Sequence, residues 1–78
     1  MLQFDSNKRK AFEAAVYNKE VRAAVKDNKS HVSFDDHWAD LQIHDVMATD
    51  ETEAMRLILQ RYPPEQGFVV AGLIPSRH

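Results

Sequence analysis

Between Ser33 and Asp40 the chain reads SFDDHWAD, and a further histidine follows at His44. Carboxylate oxygens from Asp35, Asp36 and Asp40, with imidazole nitrogens from His37 and His44, are donor types that bind Ca²⁺ or Zn²⁺. The same residues are also ordinary turn composition, because Asp bonds to its own nearby backbone and tolerates unusual dihedrals. No EF-hand loop, HExxH motif or helical His pair accompanies them. On a strand Asp40, Gln42 and His44 would share one side, whereas His37 and His44, an odd number apart, would take opposite sides. A solvated turn is the simpler account, and a cation or small-ligand site at 35–44 is the alternative.

Other chemistry is harder to find. His44 and Asp45 are neighbours, so on a strand they face apart and do not form a base with its orienting acid. Ser30, Ser33 and Ser76 lie in no nucleophile elbow, and Gly67 and Gly72 form no phosphate-cradling loop. The absence of Cys removes disulfides, thiolate zinc sites and a cysteine nucleophile. No motif calls for a cofactor. No catalytic chemistry is identifiable, although a composite site across a dimer would leave no linear motif.

Charge is divided along the chain. Residues 1–30 carry seven Lys or Arg against four acids, and residues 31–78 carry three against eight. Lys8, Lys19, Arg22 and Lys26 would form a basic stripe on a helix, the kind of row that contacts phosphates. Interleaved Glu13 and Glu20, and a pI near 6.0, weigh against nucleic-acid binding. With 44% hydrophobic and 28% charged residues the composition is that of a soluble protein. No apolar run approaches the ~18 residues of a membrane span, and MLQFDSNKRK reverses the order of a secretory signal, so a cytoplasmic protein is expected.

At 78 residues there is room for one domain, spanning 1–78. From Asp5 or Ser6 to about Asp27 no Gly or Pro intervenes and Ala recurs, which predicts a long helix. Ala14, Tyr17, Val21 and Ala24 line one apolar stripe, and Phe12 and Val16, with Ala23 nearby, form a second patch. HVSF (31–34) reads as a short strand, and Trp38 to Ala48 alternates as a half-buried one, with Val46 as a misfit. Asp50 and Glu53 resemble a capping box for a mostly enclosed helix from about Glu51 to Tyr62, stopped by Pro63-Pro64. After Gly67, FVVAGLI is a strand apolar on both faces and closed by Pro75. Trp38 and Tyr62 fit the edge of a core.

The expected fold is α+β, a small two-layer sandwich in the order α-β-β-α-β. It has a three-stranded mixed sheet, the last two strands parallel, and both helices on one face. So few elements cannot cover all the apolar surface. Phe12, Val16, Ala23, Val69 and Leu73 are therefore the candidate partner-binding residues, with a second copy or another protein as partner. The expected function is an accessory or regulatory protein-interaction module that self-associates.

Overall fold

A computed structural model describes residues 9–76. Strand β1 (Lys10–Asn18) leads directly into helix α1 (Lys19–Lys26). Strand β2 (Gln42–Ala48), helix α2 (Glu51–Arg61) and strand β3 (Phe68–Pro75) follow, with short 3-10 turns at Asp36–Ala39 and Pro64–Gln66. The class is α+β and the element order is β-α-β-α-β.

The expected long helix is therefore mostly a strand. In KAFEAAVYN, Phe12, Ala14 and Val16 are buried and alternate with half-buried Ala11, Glu13, Ala15 and Tyr17, the two-residue period of a sheet. The alanines favour a helix in isolation, but two flanking strands supply backbone partners for the whole segment, and that tertiary pairing outweighs local propensity. The spacing that linked Tyr17 to Val21 spans the junction between strand and helix. Of the basic stripe, Lys8 lies outside the described residues, and Lys19, Arg22 and Lys26 share a helix of only two turns.

The sheet order is β2-β1-β3, with both pairings antiparallel. β2 and β3 consequently run in the same direction, as a strand–helix–strand crossover requires, but β1 lies between them, so the expected mixed sheet is antiparallel throughout. HVSF forms no strand. Phe34 instead packs edge-on against Phe68, with ring centroids 5.1 Å apart.

One layer covers one face. Phe12, Ala14, Val16, Val46, Ala48 and Phe68 of the sheet close on Ala54 and Ile58 of α2, flanked by Leu57, Tyr62, Val70 and Leu73. Helix α2 is one-sided rather than enclosed, with Leu59 exposed. Asp50 accepts from the Glu53 amide at 2.8 Å, and the Glu53 carboxylate accepts from the Thr49 amide at 2.7 Å, a variant of the capping box. That amide bond holds the Glu53 carboxyl below its ordinary pKa. Helix α1 does not lie on the sheet beside α2: it continues from the end of β1, and its Arg22 Nε donates to the Ala39 carbonyl of the 3-10 turn at 2.8 Å.

Asn18 governs this junction and is fully buried. Its Oδ1 accepts from the amides of Glu20 and Val21 at 2.9 and 3.1 Å, and its Nδ2 donates to the Gln66 carbonyl at 3.0 Å. One side chain thus ends β1, caps α1 and holds the turn that starts β3. Gly67 closes against it in a left-handed conformation (φ 96°), where a Cβ would stand 2.7 Å from Asn18 Oδ1. Replacing Asn18 by Ala removes the cap and leaves the Gln66 carbonyl unpaired, so urea denaturation should show a loss of about 2 kcal/mol. Asn18→Ser, which keeps a cap acceptor alone, should recover only part of it.

Candidate functional site

The alternation that sends Phe12, Ala14 and Val16 under α2 turns the intervening residues to the opposite face. The strand register orders that face in rows. Tyr17 pairs with Val69, and Leu41 lies just ahead of β2 on the same side. Ala15 pairs with Ile43 and Gly72, Glu13 with Asp45 and Ile74, and Ala11 with Met47. Ile43 is 63% exposed, Met47 49% and Ile74 58%. Among the described residues only Arg22 of α1 reaches over this face, at the Tyr17 ring, and beyond that row it is apolar apart from the Glu13–Asp45 pair.

A bulge decides which part of β3 is displayed. The register shifts between Ala15 and Val16, which pair with Gly72 and Val70, so Ala71 is the extra residue. Strict alternation would put Val69, Ala71 and Leu73 together. With the bulge, Leu73 turns inward beside Val70 and packs on the core, and Ile74 takes its place outside.

The expected partner-binding residues therefore separate. Phe12 (3% exposed) and Val16 (0%) belong to the core, because their strand parity faces α2. Leu73 is half-buried on the same side, Ala23 is exposed on α1 away from the sheet rows, and Val69 alone lies on the open face. The residues missed were Ile43, Met47 and Ile74. Ile43 and Met47 were visible in the alternation of β2, but which side of that strand met the helix was not.

The Asp/His cluster divides too. Asp35 accepts from the His37 amide at 3.2 Å, its carboxylate lies 3.3 Å from His37 Nδ1, and Asp35, Asp36, His37 and Asp40 are all exposed on the 3-10 turn. The amide bond holds the Asp35 carboxyl below its ordinary value. His44 instead turns under the sheet, where it stacks on Trp38 (centroids 5.6 Å apart, planes within 17°) and meets Tyr62 at 4.9 Å. No three His, Asp or Glu side chains among the described residues come together to hold a metal.

What the segment builds is an aromatic cluster. Trp38 also packs on Tyr62 and, edge-on, on Phe68, and so closes the open end of the α2 core. His44 Nδ1 is 3.3 Å from the Tyr62 hydroxyl, and its Nε2 is buried without a partner. Burial, with the nearby Arg61 charge, lowers the His44 pKa below its ordinary 6.5, while Asp45 acts the other way. Beyond the cluster, a shallow groove of about 540 Å³ runs along the outer edge of β2, between Val46 and Met47 and the α2 residues Leu57, Gln60 and Arg61.

The chain matches no family model, no curated protein and no solved structure. No helix among the described residues is long and apolar enough to cross a membrane.

The His44 environment sets a pH dependence. Its folded pKa is depressed, so between pH 6.5 and that lower value the unfolded chain binds a proton that the folded chain refuses. Stability contributed by neutral His44 is thus complete above pH 6.5 and is lost as pH falls below it. Urea midpoints followed by Trp38 fluorescence should decline from pH 7.5 to 5, and His44→Phe should flatten that decline.

Proposed function

We propose that this chain is a small cytoplasmic accessory module that works by binding protein, and that its first partner is a second copy of itself, held through the open face of the sheet. The observation that carries this reading is the exposure of Ile43, Met47 and Ile74 on one face, beside Ala11, Ala15 and Val69. Apolar patches gathered on one face mark interaction surfaces, whereas single exposed apolar residues are normal.

The size of the face sets the strength of the contact. Three strands about 4.8 Å apart and four rows about 7 Å apart give a footprint of roughly 400 Å². Standard interfaces bury about 800 Å² per partner, so the dimer is weak, with a dissociation constant in the micromolar range or above.

Sedimentation equilibrium should show a mass that rises from 9.0 kDa towards twice that value with concentration. Ile43→Lys should hold it at the monomer mass with little change in stability, because the side chain is already mostly in water. Phe12→Glu would instead unfold the chain, since it buries a charge in the core. A wild type that stays at 9.0 kDa up to millimolar concentration would sink the reading.

A further inference from the structure

We infer that two copies meet face to face about a dyad that crosses the strands at the Ile43–Ala15–Gly72 row, so that Arg22 of each copy lies over the Glu13–Asp45 pair of the other. This rests on the self-association proposed above and specifies its register.

Three observations support it. Glu13 and Asp45 stand directly opposite on adjacent strands, where like charges repel, so the open face carries an anionic spot with no cation paired to it among the described residues. Among the described residues, Arg9 and Arg61 share the β2-edge groove with Asp45 without an ion pair to it, and a further cation stands at the other end of the face. The Arg22 guanidinium lies over the Tyr17 ring, its Cζ 3.7 Å from the centroid, and its Nε donates to the Ala39 carbonyl at 2.8 Å, which fixes it at the Tyr17 row. Those two contacts leave both Nη groups without a hydrogen bond among the described residues.

The third observation is spacing. The Glu13–Asp45 row and the Tyr17 row each lie two residues from the Ala15 row, about 7 Å on either side. A dyad across the strands at Ala15 superposes one on the other. A dyad along β1 would set Glu13 against Glu13, and one midway between the Glu13 and Ala15 rows would bury both acids against Ile43 and Ala15.

Gly72 fits the same arrangement. A Cβ there would meet no heavy atom within 4 Å, so nothing inside the protomer requires glycine, while a partner backbone crossing at this row would. Ala15 beside it is equally small.

The test is sedimentation equilibrium of wild type, Glu13→Arg, Arg22→Glu and the double variant, with thermal melts to confirm folding. Each single change should weaken association about tenfold or more, and the double should recover most of that loss. Gly72→Leu, whose Cβ meets no heavy atom of the protomer within 4 Å, should weaken it similarly and reads the register even where Arg22→Glu does not fold. A wild-type dimer that ignores Gly72→Leu, or a folded double variant no tighter than the singles, overturns this register while leaving the dimer intact. A wild type that is monomeric throughout overturns both.

Discussion

The structure depends on one inequality: a three-stranded sheet has two faces, and among the described residues one helix, α2, is long enough to cover one of them. Because side chains alternate along a strand, burying Phe12, Ala14 and Val16 beneath α2 necessarily presents Ala11, Glu13, Ala15 and Tyr17 on the other side. No rearrangement of side chains avoids this. None of the described elements closes over the second face, and the apolar character of Ile43, Met47 and Ile74 makes water an unfavourable contact there.

Two local features decide how that face is composed. Asn18 ends β1 by capping the first amides of α1, and turns the chain so that Arg22 ends beside Tyr17 rather than along a continuous helix. The extra residue at Ala71 inverts the parity of the rest of β3, which trades Leu73 for Ile74 on the outside. Both act through geometry rather than through the apolar character of the residues concerned.

The stretch that first suggested chemistry serves the core instead. Trp38 closes the end of the α2 layer against Tyr62 and Phe68, and His44 is drawn in beside it, away from the exposed aspartates that could have shared a cation. Donor types were present, but among the described residues no three of them converge: Asp35, Asp36 and His37 stay exposed on the 3-10 turn, while His44 packs against Trp38 and Tyr62.

Much was legible without coordinates. Helix α2 was readable from Asp50, Glu53 and Pro63-Pro64, since capping and proline effects act within one turn of the backbone, and β2 and β3 from alternation and apolar runs. The same patterns required a surplus of apolar surface in so short a chain. The sequence by itself could not assign β1, because Ala-rich KAFEAAVYN satisfies a helical and a two-residue period together, and only pairing with β2 and β3 separates them. Nor could it tell which apolar residues would be left outside. That depends on register, on the bulge at Ala71 and on the single side of the sheet that α2 occupies, all of them set by contacts between segments distant in the chain.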